Sequence, residues 1–251
     1  MSSDFIVENL CVSTRPLMET AARICEAAGS ADAQTVFTLN LDHVVKMRSD
    51  PAFRAAYARA GLITADGFPI VLAGSLQGKR FDRVAGSDLI APICAEAART
   101  AKSIFLFGSS ADVLAQSSQA LRERDPGLRI AGVLAPPQGF SPTSAEARQC
   151  INAISESGAD LCFVALGAPK QELFADYAKQ VVPRVSFVCI GAGLDFITGA
   201  QVRAPHWMQR TGLEWLWRTA KNPGRLLHRY LLCIAVLPGV LARAVLVPQR
   251  R

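Results

Sequence analysis

The 251-residue chain is poor in charged residues and lacks the short motifs that identify many enzymes. Asp, Glu, Lys and Arg make up 19% of it, below the usual quarter, whereas half of the residues are hydrophobic. Neither GxGxxG nor GxxxxGK[ST] occurs, which argues against a dinucleotide fingerprint and a P-loop. HExxH and DxD are missing too, and His43, His206 and His228 lack metal-binding spacing. We therefore expect neither a metal nor a cofactor.

Cysteine usage indicates a reducing compartment. The seven cysteines are an odd number without a CxxC pair, and several of them, such as Cys162 and Cys189, stand inside apolar runs. Free thiols packed as small hydrophobic side chains explain this pattern best. The N-terminus has no basic region followed by a long apolar run, so we expect a cytoplasmic protein without a secretion signal.

Short apolar runs alternate with helical patterns over the first 200 residues. Five nearly continuous runs predict strands that are covered on both faces. They are Thr35–Leu39, Ser103–Phe107, Arg129–Leu134, Leu161–Ala165 and Val185–Ile190. The helical patterns are Asp42–Ala60, Gly86–Ala101, Ala111–Arg124, Thr143–Ser157 and Lys170–Val181. The order predicts an α/β protein with a Rossmann-like, mostly parallel sheet and helices on both faces. A further short strand or turn is expected in Leu62–Ala73, with Asp66-Gly67 as its turn.

The last 51 residues differ from the rest in charge. Residues 201–251 contain nine basic residues against the single acid Glu214, a net +8, whereas residues 1–200 sum to −2. We therefore predict a core over residues 1–200 and a helical, basic C-terminal appendage over residues 201–251. A basic face beside apolar helix suits an anionic membrane surface.

Two helices are expected in the appendage. One covers Ala204–Thr219, and the other begins at Pro223 and is interrupted by Pro238-Gly239. The apolar run Leu231–Val247 has 17 residues and includes Arg243, fewer than the roughly 20 apolar residues that a membrane span needs. A core helix, a helix lying in the membrane interface and a true span all remain open. Arginines interleaved with leucines favour lipid over nucleic acid, and a second copy of the chain could cover the same face.

Small and polar residues stand at the ends of four predicted strands, where parallel sheets bind ligands. They are Thr38 and Asn40, then Gly108, then Gly167, Pro169, Lys170, Gln171 and Glu172, and finally Gly191, Gly193 and Asp195. Glycines at such exits let backbone N–H groups approach a phosphate, although turns alone also use glycine. Their convergence predicts a nucleotide site.

Asp66 and Arg83 each allow two interpretations. Asp66, in the sequence TADGFP, fits a turn aspartate that bonds its own backbone or a general base whose pKa is raised by apolar neighbours. Arg83, in DRVAGSD, fits a surface charge at a helix entry or a phosphate ligand.

Taken together, the motifs resemble the WecG/TagA/CpsF family of bacterial glycosyltransferases. The resemblance runs from about Thr35 to Tyr230, with the motifs in the order of the family. It is carried by TxN at Thr38, ADG at Ala65, RVxG at Arg83, GxPKQE at Gly167, GxG at Gly191, RAP at Arg203, GLEW at Gly212 with Arg218, and PxR at Pro223.

The resemblance implies an inverting, metal-independent hexosyltransferase that moves a sugar from a UDP-sugar to a polyprenyl-diphosphate-linked sugar. Such enzymes work peripherally on the cytoplasmic face of the cell membrane, in surface polysaccharide or teichoic acid assembly. Asp66 would be the general base, and Thr38, Asn40 and Gln171 would line the sugars. The positive charges for the diphosphates would come from Arg83, Arg218, Arg225 and Arg229. Asp195 and the Gly191–Gly193 loop would hold the uridine.

One departure concerns His228-Arg229-Tyr230, where many relatives have consecutive arginines before the tyrosine. The donor sugar is not evident from the sequence, and a homo-oligomer is an open possibility. Two alternatives to the transferase are a non-catalytic membrane-surface adaptor of the same fold and a nicotinamide-dependent Rossmann oxidoreductase.

Overall fold

The computed structural model describes residues 4–205, 207–208, 213–221 and 223–246, with only the backbone of residues 218, 221, 223 and 225. The strands are β1 Phe5–Val7, β2 Leu10–Val12, β3 Thr35–Leu39, β4 Leu62–Ala65, β5 Ser103–Gly108, β6 Arg129–Leu134, β7 Leu161–Ala165 and β8 Ser186–Cys189. The helices are α1 Leu17–Ala27, α2 Leu41–Ser49, α3 Pro51–Ala58, α4 Phe68–Leu76, α5 Gly86–Arg99, α6 Ala111–Arg124, α7 Ala145–Glu156, α8 Lys170–Val181, α9 Gly193–Ile197, α10 Glu214–Lys221 and α11 Pro223–Leu246.

The central sheet has six parallel strands in the order β4-β3-β8-β7-β5-β6. This confirms the predicted parallel α/β architecture. The N-terminal hairpin of β1 and β2 was not predicted. It leads into Ser13, which bridges to Thr64 and donates its N–H to the Ile63 carbonyl at 2.8 Å. The hairpin end thereby covers the outer edge of β4.

Both faces of the sheet are covered by helices. Neighbouring residues of one strand point into different apolar clusters, as Phe37 and Val36 of β3 do. One cluster joins the sheet to α2, α3, α4, α7, α8 and α11, and the other joins it to α1, α5, α6 and α9. In the first cluster the rings of Phe107 and Phe174 stack with their centroids 4.3 Å apart. Burial on both sides explains why the inner strands read as continuous apolar runs. The prediction of two covered faces is wrong for β6, which lies at the edge of the sheet and has no buried residue.

Two predicted segments are divided in the structure. The helix expected over Asp42–Ala60 is two helices, α2 and α3. The Asp50 side chain accepts a hydrogen bond from the Phe53 N–H at 3.0 Å, and Pro51 occupies the first turn of α3. A capping aspartate followed by proline starts a new helix rather than continuing the old one. The segment Leu62–Ala73 is likewise strand β4 followed by helix α4.

The appendage differs from its predicted form in two places. Ala204 and Leu213 are not helical, so a single helix over Ala204–Thr219 is wrong, although residues 206 and 209–212 lie outside the described part. Pro238-Gly239 does not interrupt α11, which runs through both residues. Pro238 is exposed, whereas Val240, two residues further on and on the other side of the helix, is buried against the core. Packing of this kind stabilises a helix despite an unfavourable residue.

Helix α11 lies across the core with one narrow face buried. Leu226, Cys233, Val240 and Ala244 face inward, and the helix packs against α2, α4 and β1. Its segment Leu226–Leu246 is long and apolar enough to cross a membrane by length and composition alone, and 17% of its most apolar part is buried. Leu227, Leu231 and Ile234 are more than half exposed. The predicted division into a core over residues 1–200 and an appendage over residues 201–251 stays a prediction.

Candidate active site

The carboxyl ends of β4, β3, β8, β7 and β5 follow one another along one edge of the sheet. The register pairs Thr38 with Thr64 and Leu39 with Ala65, so Asn40 and Asp66 leave the sheet side by side. The Asp66 N–H donates to the Leu39 carbonyl at 2.8 Å, which ties the two exits together. The topology therefore brings residues as distant in the chain as Asn40 and Gly191 to one edge, as predicted for the strand exits.

Asp66 lies on a sharp turn between β4 and α4. Gly67 has a φ of +93°, a conformation that residues with a side chain rarely adopt. The Asp66 side chain is about a quarter exposed, and its Oδ1 lies 3.3 Å from Arg83 Nη1. The sequence suggested apolar surroundings for this carboxyl group. The structure instead places a guanidinium beside it, which stabilises the ionised carboxylate that a general base requires.

Arg83 reaches Asp66 because the chain before α5 is bonded to the end of β4. The Val84 N–H donates to the Ala65 carbonyl at 2.9 Å, and Thr64 Oγ1 donates to the Val84 carbonyl at 2.8 Å. Arg83 is only partly exposed, and its Nη2 donates to Asp88 Oδ2 at 3.1 Å. Burial by itself would lower the pKa of Arg83, but the carboxylates of Asp66 and Asp88 outweigh it and raise the pKa. The guanidinium is thus permanently charged and held in place.

The ion pairs of Arg83 extend into the appendage. Arg203 Nη2 lies 2.6 Å from Asp88 Oδ1, and Glu214 Oε2 lies 3.9 Å from Arg83 Nη1. Asp88, Arg203 and Glu214 stand within the sequence motifs but had no predicted role. A signal was present for Asp88 and Glu214, since their motifs also carry Arg83 and Arg218, whereas the RAP motif of Arg203 carries no predicted site residue. These charges attach the start of the appendage next to the candidate base.

Asn40 is held by a buried histidine that sequence reasoning set aside. Asn40 Oδ1 caps α2 by accepting from the His43 N–H at 3.1 Å, and Asn40 Nδ2 lies 3.4 Å from His43 Nε2. His43 Nδ1 lies 2.7 Å from both the Thr38 carbonyl and the Tyr57 hydroxyl. A carbonyl at that distance requires a proton on Nδ1, which leaves Nε2 as an acceptor for the Asn40 amide.

The environment keeps this imidazole neutral. Burial is the main cause that lowers the pKa of His43, from 6.5 to about 4. The carboxylate of Asp42 and the bond to Thr38 oppose that effect, whereas the cations Lys46 and Arg229 add to it. The signal in the sequence was the spacing of Asn40 and His43, which puts both on the first turn of α2. Thr38 itself is buried.

Gln171 connects the exits of β7 and β8. Its Oε1 accepts from the Gly191 N–H at 3.1 Å, and its Nε2 donates to Glu172 Oε1 at 2.8 Å. Gln171 is 3% exposed and Glu172 is fully buried. The predicted role of Glu172 as a direct substrate ligand therefore does not fit its position, because its carboxyl group faces Gln171 and the interior.

The remaining predicted residues on the β7 exit lie at the surface. Gly167 and Lys170 are exposed and Pro169 is partly exposed; Pro169 caps α8, and Lys170 is its first residue. The Gly167 φ of +73° suits glycine. These residues are open to a ligand, and the N-terminus of α8 offers backbone N–H groups to a negative charge.

Two of the predicted glycines have a packing explanation. A Cβ on Gly108 would stand 2.4 Å from the Ala165 carbonyl oxygen, and a Cβ on Gly193 would stand 2.4 Å from Ile90 Cδ1. Both residues are buried. Glycine at these positions lets β5 approach β7 and α9 approach α5, so their direct contact with a substrate stays a prediction.

Asp195 forms a small polar cluster at the other end of the site. Its Oδ1 accepts from Ser109 Oγ at 2.8 Å, and its Oδ2 accepts from Gln201 Nε2 at 2.6 Å. Asp195 is partly exposed, so its carboxylate is able to meet a hydroxyl of a bound ligand. Asp195 was a predicted site residue, whereas its partners Ser109 and Gln201 were not.

The three predicted arginines of the appendage differ in what the structure describes. Arg229 of α11 lies with its Nε 2.8 Å from Asp42 Oδ1, two residues after Asn40. Its guanidinium therefore lies near the exit of β3. The side chains of Arg218 and Arg225 lie outside the described residues. His228 is exposed on α11.

The chemistry available at this edge is proton transfer beside fixed positive charge. In the described part of the chain, no three His, Cys, Asp or Glu side chains come together as a metal site would require. Asp66 is able to accept a proton, and Arg83 provides charge within hydrogen-bond distance of it. Hydroxyl and amide groups of Thr38, Asn40 and Gln171 surround the same edge.

Comparison with known proteins assigns the chain to a family. The profile of the "Glycosyl transferase WecG/TagA/CpsF family" matches residues 7–251, nearly the whole chain. The chain belongs to this family. A relative from Bacillus spizizenii, an N-acetylglucosaminyldiphosphoundecaprenol N-acetyl-beta-D-mannosaminyltransferase, is 30% identical over 191 residues, which cover 76% of this chain and 72% of the relative.

Membership confirms the resemblance and the activity class that the motifs predicted. The protein is a glycosyltransferase that transfers a hexose unit in cell-envelope polysaccharide assembly. The nicotinamide-dependent oxidoreductase and the non-catalytic adaptor are set aside on the same ground. The roles of individual residues in this glycosyltransferase remain predictions.

Proposed function

We propose that this glycosyltransferase moves an N-acetylmannosaminyl unit from a UDP-sugar to N-acetylglucosamine on a polyprenyl diphosphate. The observation that carries the proposal is the Asp66–Arg83 pair, which joins a carboxylate to a fixed cation where the strands end. The name of the Bacillus spizizenii relative states the same acceptor and the same transferred sugar. Undecaprenol is the polyprenol of that relative.

Asp66 acts as the general base in this proposal. A hydroxyl oxygen of the acceptor sugar attacks the anomeric carbon of the donor and passes its proton to the Asp66 carboxylate. The new C–O bond forms as the bond from the anomeric carbon to the phosphate oxygen breaks, and UDP leaves with that electron pair. Attack from the side opposite UDP inverts the anomeric carbon. Base catalysis of this kind contributes roughly 10²–10⁴-fold.

Positive charge stabilises the departing UDP. Negative charge grows on the phosphate oxygen as the bond breaks, and preorganised cations lower the energy of that state. Arg83 is already oriented by Asp66 and Asp88, and Arg229 lies near the β3 exit. We assign Arg218 and Arg225 to the diphosphates as well. Asp195 and the Gly191–Gly193 loop hold the uridine, while Thr38, Asn40 and Gln171 line the sugars.

The variant Asp66→Asn tests the base. It keeps the size and hydrogen-bonding shape of the side chain but is unable to take up a proton. We expect kcat to fall by about 10²–10⁴-fold, while calorimetric titration with UDP in the presence of EDTA gives nearly the same Kd. Asp82→Asn, an exposed neighbour on the same segment, is the matched control and keeps full turnover. Full turnover by Asp66→Asn would exclude Asp66 as the base.

We further propose that the enzyme binds peripherally to the inner face of the cell membrane through α11. The acceptor is anchored there by its polyprenyl chain, and α11 exposes a stripe of large apolar residues close to the site. Leu227, Leu231 and Ile234 are 53–56% exposed. An interfacial helix with arginines beside such residues binds anionic lipid.

Flotation with liposomes containing anionic lipid tests the membrane surface. We expect the wild-type protein to float and a variant with Leu227, Leu231 and Ile234 changed to Gln to remain at the bottom. Changing Val133, an exposed apolar residue on the distant edge strand β6, to Gln is the control. Equal flotation of both variants would contradict the role of α11. If the protein bound nucleic acid in a salt-sensitive way and did not bind liposomes, the basic residues would serve nucleic-acid binding instead.

A further inference from the structure

Glu172 is a buried carboxyl group that the proposed chemistry does not use. It lies in the first turn of α8, directly after Gln171, and no part of it is exposed. Its Oε1 accepts a hydrogen bond from Gln171 Nε2 at 2.8 Å, whereas its Oε2 has no hydrogen-bond partner in the described structure. An unpaired buried carboxyl oxygen is costly, and an apolar side chain of similar size would fill the same space without that cost.

The two bonds of Gln171 determine how its carboxamide is oriented. The Gly191 N–H is able only to donate, so it requires the amide oxygen of Gln171. The amide nitrogen must then face Glu172, whose carboxylate is able only to accept. One N–H of Gln171 remains after both bonds are made. Without Glu172, a single bond to Gly191 would leave the amide nitrogen undirected.

This pair also spans two loops of the site. Gln171 follows β7 and Gly191 follows β8, which are neighbours in the sheet. The exposed loop that begins at Gly167 and the glycine loop at Gly191 are therefore held together by one carboxamide. Its orientation affects both the remaining Gln171 N–H and the backbone of Gly191.

We propose that Glu172 is a positioning residue, which orients the Gln171 carboxamide so that it holds the Gly191 loop and directs its remaining N–H toward the transferred sugar. The inference rests on the proposed function, in which Gln171 lines the sugar site. It assigns to Glu172 an effect through Gln171 rather than contact with substrate.

The protonation of Glu172 provides a readout that a purely structural role would not change. Burial raises the pKa of Glu172 to about 7; the bond from Gln171 and the more distant Lys46 oppose this rise, and Asp42 adds to it. The other groups facing it are Tyr57 of α3 and Cys189 of β8, whose own pKa values burial raises. A protonated carboxyl group carries an O–H that needs an acceptor, and the amide oxygen of Gln171 is able to accept it only by turning away from the Gly191 N–H.

The test uses three single variants, Glu172→Gln, Glu172→Met and Gln171→Ala, and one double variant that combines Gln171→Ala with Glu172→Met. Turnover is measured with UDP-N-acetylmannosamine and N-acetylglucosaminyl-diphosphoundecaprenol, and urea unfolding checks each fold. Gln retains an oxygen that accepts from Gln171, so we expect kcat within about threefold of wild type. Met has no acceptor, so we expect a loss of about tenfold or more with a nearly unchanged Kd for UDP. In the Gln171→Ala background, Glu172→Met should not lower kcat further.

The pH profile is the second measurement, and it stands even if Glu172→Met fails to fold. We expect the kcat of the wild type to rise with pH through about 7, and that step to be missing in Glu172→Gln. Identical pH profiles of the wild type and Glu172→Gln would overturn the inference. So would a loss of kcat from Glu172→Met that is as large in the Gln171→Ala background as in the wild type. Full activity of Gln171→Ala would remove Gln171 from the site and the inference with it, but the result for Asp66→Asn would still decide the proposed reaction separately.

Discussion

The buried imidazole of His43 makes the stability of the core depend on pH, and the structure sets the direction and size of the effect. In the folded protein the pKa of His43 is about 4, mainly because of burial, against 6.5 when the chain is unfolded. The contribution of neutral His43 to the free energy of unfolding is complete above pH 6.5. It is lost as the pH falls toward 4, since the unfolded chain then binds the proton more tightly. The full difference corresponds to roughly 3 kcal/mol, and about 2 kcal/mol should be lost by pH 5.

The variant His43→Asn isolates this contribution. Its amide nitrogen replaces Nδ1 as a donor to the Thr38 carbonyl, but the side chain does not titrate. Urea unfolding followed by circular dichroism is measured at several pH values between 7.5 and 5. The variant should be less stable at pH 7.5, because the ring contacts with Phe53 and Tyr57 are lost, and that deficit should shrink by about 2 kcal/mol at pH 5.

Two features make the comparison decisive. Glu172 changes stability in the opposite direction over much of the same range, but it is common to both proteins and cancels in their difference. His228→Gln is the control, because it removes a histidine that is exposed on α11 rather than buried in the core. A constant difference between wild type and His43→Asn from pH 7.5 to 5 would refute the buried neutral imidazole. Protonation would also give Nε2 a hydrogen that faces the Asn40 amide, so activity should fall together with stability.

Three further predictions concern the neighbouring elements. Arg83→Lys should lower kcat by at least about tenfold, because one ammonium group is unable to bond Asp66 and Asp88 with the geometry of a guanidinium; unchanged kcat in the turnover assay would contradict this. Gly108→Ala should reduce the free energy of unfolding in urea by about 2 kcal/mol or more, since its Cβ meets the Ala165 carbonyl oxygen. Gly127→Ala is its control, with a positive φ but open space, and should cost only about 1 kcal/mol. Glu172→Gln should be more stable than wild type at pH 8 by up to roughly 3 kcal/mol and lose this advantage near pH 4.5, because a raised pKa lowers stability as the pH rises through 7.

The strands of the core were predictable because burial on both faces leaves a continuous apolar run in the sequence. The runs beginning at Thr35 and Leu161 coincide with β3 and β7, which are buried throughout, and the helix Lys170–Val181 coincides with α8. The run beginning at Arg129 coincides with β6, although this edge strand is partly exposed along its length. The N-terminal hairpin was missed, since strands of three residues with partly exposed positions carry too little pattern. Pro238 led to a wrong prediction of a break in the helix, because contacts made by its neighbours stabilise α11 across it.

The sequence predicted which residues belong to the site better than it predicted the contacts between them. Asp66, Asn40 and Gln171 could be chosen as polar residues at strand ends, and the family motifs supported them. Their partners are distant in sequence: Asp88 and Arg203 lie 115 residues apart, and Gln171 reaches Gly191 across a whole strand and its preceding helix. No local pattern records such contacts.

The sequence by itself determined the parallel α/β core, the charge of the appendage and the family, because these depend on periodicity, composition and ordered motifs. Tertiary structure alone decided that Asp66 stands against a guanidinium, that His43 is neutral beneath Asn40, and that Glu172 faces Gln171 rather than a ligand. The physical reason is that a side chain's protonation and role follow from what surrounds it in space, including the loss of water, and those surroundings come from strands and helices that are remote along the chain.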